Sequence, residues 1–239
     1  MATKDKHDSP ELISYYQLRR AIGFIGICLP FALMLGEMIV KWLYPEARGP
    51  RHSMSEYFYT TMRGVFVGSL CSIGVFLGAY RGYNDRKDRI AGWIACICAI
   101  GVALVPVSPE PNYVDWRQYM GLVHYLFAAA LFGTLGYFCL ALFTMHGSSD
   151  EPRPKSSMTP EKRQRNVVYI VCGWTIYGCI VTIAMFEILF LNDWSPFRSE
   201  RILALAPVYW LEALAVVAFG ASWLIKGEFI LADGENMPV

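Results

Sequence analysis

Apolar residues in this 239-residue chain gather into six blocks, roughly 21–44, 62–80, 90–108, 120–144, 167–191 and 207–225. Short polar stretches separate them. Each block is close to the ~20 apolar residues that carry an α-helix across a hydrocarbon core about 30 Å thick. That core holds no water to satisfy backbone N–H and C=O groups, so a spanning element is a helix or a strand of a closed barrel. The blocks are continuous, not ten-residue segments of alternating polarity, which argues against the barrel. The pattern therefore predicts an all-α integral membrane bundle of six transmembrane helices, a single transmembrane domain over 1–239.

The punctuation agrees. Pro45 follows the first block, Pro106 closes the third and Gly227 follows the sixth. Thr159, Pro160 and Glu161 read as the N-cap and first turn of a helix that runs on into the fifth block. The stretch 147–158, GSSDEPRPKSSM, reads as a flexible cytoplasmic loop. The first block is too long for the apolar region of a cleavable signal, so it is expected to stay as an anchor.

Composition supports a membrane setting. Hydrophobic residues make up 55% of the chain and charged residues only 17%, against about 25% in a soluble domain. Net charge is +1, which gives no reason to expect nucleic acid as a partner. Lys and Arg are uneven. Fourteen lie in the N-terminal tail, after the second and fourth blocks and after the sixth, and seven lie on the other side. The basic side is expected to be cytoplasmic, placing both termini there, in a bacterial inner membrane. Trp42, Trp116, Trp194 and Trp210 would then mark the outer interface, and Trp93 and Trp223 the inner one. Gly74 with Gly78, and Gly133 with Gly136, are small-residue faces suited to helix contacts and to a homo-oligomer. The seven cysteines all fall inside apolar blocks and read as packed thiols. Cys96 and Cys98 lack a second ligand pair, so no metal site and no cofactor is expected.

Ionisable residues inside a membrane are costly, and here they crowd one leaflet. Glu37, Arg63, His124, Glu187 and Glu212 each lie within roughly 10 Å of the outer boundary, at 1.5 Å per residue. The inner halves of the six blocks hold no charged residue and no histidine. The loop between the first two blocks adds His52, Ser55, Glu56 and Tyr59. These nine residues are the candidate ligand-binding set, arranged as a polar cup open to the outside over a dry apolar floor. Plain structural roles compete with that reading. Glu37 can pair with Lys41 at i,i+4. Ser53 and Glu56 fit a capping box. Arg63 can snorkel, or pair with Glu56 or Glu212. His124 can be a hydrogen-bonded interior histidine, and Glu187 can face water. Glu212 is the hardest to explain away, because no basic residue lies within four positions of it.

Three functions fit this distribution. The favoured one is a non-enzymatic protein that binds a membrane-lipid head group or a small solute in the cup, where Glu, Arg, His and Tyr suit a zwitterionic group. The second is a transporter or channel, although a proton route usually places ionisable groups at several depths. The third is a membrane-embedded hydrolase, with Ser53 or Ser55 as nucleophile and His52 or His124 as base, or with zinc on His124, Glu187 and Glu212. No HExxH or GxSxG motif accompanies it.

Two stretches carry a resemblance. One is SMSEYFYTTMRGVFVG, residues 53–68; the other is GVALVPVSPE, residues 101–110, followed by GLVHYLFAAALFGTLGYF, residues 121–138. Together they resemble bacterial six-helix membrane proteins and, more remotely, the superfamily of DRAM autophagy modulators and Sfk-type lipid-asymmetry proteins. The resemblance implies a six-helix bundle and a lipid-linked role, with Ser55, Glu56 and His124 at its recurring polar positions. It implies no catalytic residues.

Overall fold

Each apolar block becomes one helix in the computed structural model, which describes residues 10–47, 49–82, 85–107, 117–145, 159–191 and 205–229. The helices are α1 (Pro10–Leu43), α2 (Arg63–Ala79), α3 (Asp85–Leu104), α4 (Arg117–Tyr137), α5 (Pro160–Phe186) and α6 (Pro207–Lys226). α4 continues through one π-helical turn, Phe138–Leu142, and α5 through another, Glu187–Leu191. A 3-10 turn, Ser55–Tyr59, precedes α2. The described residues contain no strand. At the start of α5, Thr159 accepts a hydrogen bond from the Lys162 N–H at 3.2 Å, with Pro160 in the first turn.

Four helical stretches are long and apolar enough to cross a membrane: Tyr15–Leu43, Tyr119–Leu142, Pro160–Leu189 and Pro207–Lys226. The other two fall short for different reasons. α2 has 17 residues, roughly 26 Å at 1.5 Å each. α3 spends its first turn on Asp85, Arg86, Lys87, Asp88 and Arg89, which leaves 90–104 as its apolar part.

The helices run alternately up and down. Each packs on its sequence neighbours, and α6 closes the ring against α1. Glycine sets the closest approach. A Cβ on Gly220 would lie 2.7 Å from the Gly23 carbonyl oxygen and 2.9 Å from the Ile27 nitrogen, so only glycine lets α6 lie this near α1. Gly74 and Gly78 face Cys96 and Ala99 of α3 in the same way. Gly136 packs on the Tyr177 ring, and the Gly133 carbonyl accepts from the Tyr177 hydroxyl at 3.0 Å. Leu35, Ile97, Leu122, Val171 and Val181 are exposed, where a soluble bundle would carry polar groups.

One end of the ring is closed by aromatic rings around Trp223, whose centroid lies 4.8 Å from that of Tyr80 and 5.2 Å from that of Phe143. The expected place of Trp223 in an interfacial belt is therefore corrected: it is fully buried, because it fills the space between α2, α4 and α6. Trp42, Trp93 and Trp210 are exposed, as a belt requires. Trp116, Trp194 and the 147–158 loop lie outside the described residues. At this same end, Arg19 donates to the Lys226 carbonyl at 2.9 Å and Arg20 to the Gly227 carbonyl at 2.9 Å. These are last-turn carbonyls of α6, which have no partner inside the helix. All seven cysteines are free thiols.

Candidate functional site

The polar residues of the opposite end are organised by the segment before α2. α6 begins at Ala206, which adopts the left-handed conformation (φ 48°, ψ 52°), followed by Pro207. The first-turn amide of Tyr209 has no partner within α6 and donates instead to the His52 carbonyl at 2.9 Å. This contact docks the 51–54 segment on the start of α6 and brings it to Glu212.

Glu212 is fixed at both carboxylate oxygens. The Met54 N–H donates to Oε2 at 2.6 Å and the Ser53 hydroxyl donates to Oε1 at 3.2 Å. Ser53 Oγ also accepts from the Ser55 N–H at 3.1 Å, and the Glu56 carboxylate accepts from the His52 N–H at 3.4 Å. The expected capping box is thus displaced. Ser53 reaches the second residue on rather than the third, and Glu56 reaches the residue before Ser53, because the turn is 3-10 and Ser53 is committed to Glu212.

Ser55 and His124 meet at the next level. Nε2 of His124 is 2.9 Å from Ser55 Oγ, and Nδ1 is 2.6 Å from the Val105 carbonyl oxygen. Val105 follows the last residue of α3, so its carbonyl is one of the unpaired acceptors of that helix end. A carbonyl only accepts. In the neutral imidazole Nδ1 therefore carries the proton, Nε2 presents its lone pair and Ser55 donates to it. Both side chains are buried, Ser55 at 9% exposure and His124 at 2%.

Three carboxylates share this region. Glu212 lies on α6, Glu56 in the 3-10 turn and Glu187 at the π-helical end of α5. Tyr125 is exposed, and its ring stands edge-on to His124 with centroids 6.0 Å apart. Beneath them, Tyr57 is fully buried against Tyr209, whose hydroxyl donates to the Pro30 carbonyl of α1 at 2.5 Å. Burial pushes the Tyr57 hydroxyl above its ordinary pKa.

The side chains of the remaining candidates take other partners. Glu37 is buried on α1 and accepts from the Thr61 hydroxyl at 3.3 Å. Lys41 does not turn back to it. Its ammonium donates to the Pro45 and Ala47 carbonyls at 3.0 and 2.6 Å, closing the end of α1. Arg63 is exposed and lies 4.0 Å over the Phe58 ring, a cation–π contact in place of the expected pairing with Glu56 or Glu212. The His52 side chain is exposed, and this residue contributes through its backbone. The Tyr59 hydroxyl donates to the Val107 carbonyl at 2.5 Å.

Sequence reasoning ranked Ser53 below its neighbours and did not anticipate the Met54 amide, which only tertiary structure could reveal. It also missed the other end of the bundle. Arg19, Asp88, Arg165 and Lys226 are buried there, and Arg19 donates to the Lys226 carbonyl. The signal was present, since these residues flank the apolar blocks by one or two positions, but it reads equally well as the ordinary basic border of a span. Among the described residues, no three His, Cys, Asp or Glu side chains are grouped to hold a metal ion. Both nitrogens of His124 are already engaged. Comparison of the chain with protein-family models, with curated proteins and with solved structures finds no match.

Proposed function

We propose that the chain is a six-span membrane protein with both termini cytoplasmic, in a bacterial inner membrane, that binds an amine-bearing lipid head group or small solute in a cup at its extracytoplasmic end. The excess of Lys and Arg beside the aromatic end supports this orientation. The observation that carries the reading is Glu212, a carboxylate on an apolar helix, met by the 52–56 segment that also brings Glu56 to the same end. Like charges held together attract a cation, and a tyrosine face adds to that attraction. Glu212, held by two hydrogen bonds, forms a rigid floor for the cup. Transport draws less support, since the mid-helix residues Leu29, Ile73, Leu131, Ile176 and Val216 are apolar and buried.

The test is a titration of the purified protein with short-chain phosphatidylethanolamine, followed by tryptophan fluorescence, with phosphatidic acid of equal chain length as the amine-free comparison. The amine lipid is expected to bind more tightly. Hydrogen bonds to charged groups contribute about 1.5–3 kcal/mol, so Glu212→Gln is expected to weaken binding by roughly 10- to 100-fold. Equal affinity for the two lipids, or an unchanged affinity in Glu212→Gln, removes the basis of the reading.

A further inference from the structure

We propose that Ser55 and His124 are a nucleophile and its general base, acting on an acyl ester of the bound lipid. The lipid as substrate rests on the reading above; the pair itself rests on geometry alone. Three features of that geometry go beyond a simple tie between loop and helix. The Ser55 hydroxyl is 2.9 Å from Nε2. The Val105 carbonyl fixes the tautomer that leaves Nε2 as acceptor. The serine proton therefore already points at the atom that must receive it. A nucleophile, a base within hydrogen-bond reach and a third group orienting the base are the recurring parts of such sites. Here a backbone carbonyl takes the orienting place that a carboxylate more often fills.

Depth identifies the bond. Ser55 lies in the turn before α2, Val105 directly follows α3, and His124 is roughly 10 Å along α4 from Arg117, at 1.5 Å per residue. All three sit where the helices emerge from the apolar layer. Glycerol ester linkages lie at that boundary, between head groups and the ~30 Å hydrocarbon core.

The chemistry balances with water as the only co-reactant. Ser55 Oγ bonds to the ester carbonyl carbon while its proton passes to His124 Nε2. The carbon–oxygen bond to glycerol then breaks, and Nε2 returns the proton to the departing oxygen. This releases a lysolipid and leaves an acyl group on Ser55. A water molecule bonds to the acyl carbon and gives a proton to Nε2. That proton returns to Ser55 Oγ as its bond to the acyl carbon breaks, freeing a fatty acid.

The full-length protein in nanodiscs is treated with a fluorophosphonate probe, and the modified peptide is located by mass spectrometry. The adduct is expected on Ser55. His124→Gln is expected to slow its formation by roughly 10²- to 10⁴-fold, the usual contribution of a general base. Fatty acid release from phosphatidylethanolamine vesicles is expected in the wild type and lost in Ser55→Ala. A monodisperse gel-filtration profile and a cooperative thermal unfolding curve report whether each variant is folded. A wild-type protein that binds lipid yet gives no Ser55 adduct overturns the pair and leaves the head-group reading standing. An adduct without fatty acid release overturns the lipid ester as substrate. An adduct on a protein that binds no amine lipid sinks the head-group reading and keeps the pair.

Discussion

Glu212 illustrates how a carboxyl side chain is tolerated near the end of a helix long and apolar enough to cross a membrane. A carboxylate there loses much of its water, and the loss is offset only when hydrogen bonds replace it. Two donors do so, one from the backbone of Met54 and one from Ser53. They come from a segment held in place by the Tyr209 amide, in the first turn of α6 that Ala206 precedes. Ala206 is itself strained, since its Cβ crowds the backbone at φ 48°. Glycine removes that clash at some cost in unfolded-state entropy. Ala206→Gly is therefore expected to stabilise the protein by about 0.5–1 kcal/mol, read as a higher denaturant midpoint with an unchanged slope. A lower midpoint would mean that the packing of the Ala206 methyl outweighs the backbone strain.

Helices in lipid gain nothing from hiding apolar surface, so the closeness of their backbones matters more than the size of their side chains. α1 and α6 meet through Gly23, Gly26 and Gly220. Gly220→Ala would place a methyl against backbone atoms that cannot move aside, and a loss of about 1–3 kcal/mol is expected. Gly178 of α5 has no atom near its Cβ position, so Gly178→Ala is expected to be neutral or slightly stabilising. Thermal unfolding of the two variants side by side checks this, and equal losses would contradict the packing argument. The six helices were legible in the sequence because each is a continuous apolar block, four of them long enough to cross a membrane, and Pro45, Thr159 and Gly227 punctuate them. Their contacts were less so. The Gly74–Gly78 face is visible as a motif, whereas Gly23 and Gly220 lie far apart in the chain and carry no local sign of facing one another. Trp223 reads as an interfacial anchor by position and is buried only because Tyr80 and Phe143 arrive from other helices.

For the molecule as a whole, the two ends differ in chemistry. One gathers carboxylates, Ser55 and His124. The other buries Arg19, Asp88, Arg165 and Lys226, with Arg19 over the Tyr15 and Tyr80 rings and Lys226 over Phe143. The sequence displayed this asymmetry as a count of charges on either side. It could not indicate that Ser53 and Met54 meet Glu212 while Arg63 turns to Phe58, because nothing in the spacing fixes which faces of separate elements meet. The account depends most on the carboxylate end opening to the outside of the cell. Cysteine introduced at exposed Tyr59, and separately at exposed Arg81, can be probed in intact cells with a membrane-impermeant maleimide. The account predicts labelling of Tyr59→Cys from outside, and of Arg81→Cys only after the membrane is permeabilised. The reverse pattern, or labelling of both from outside, would contradict it.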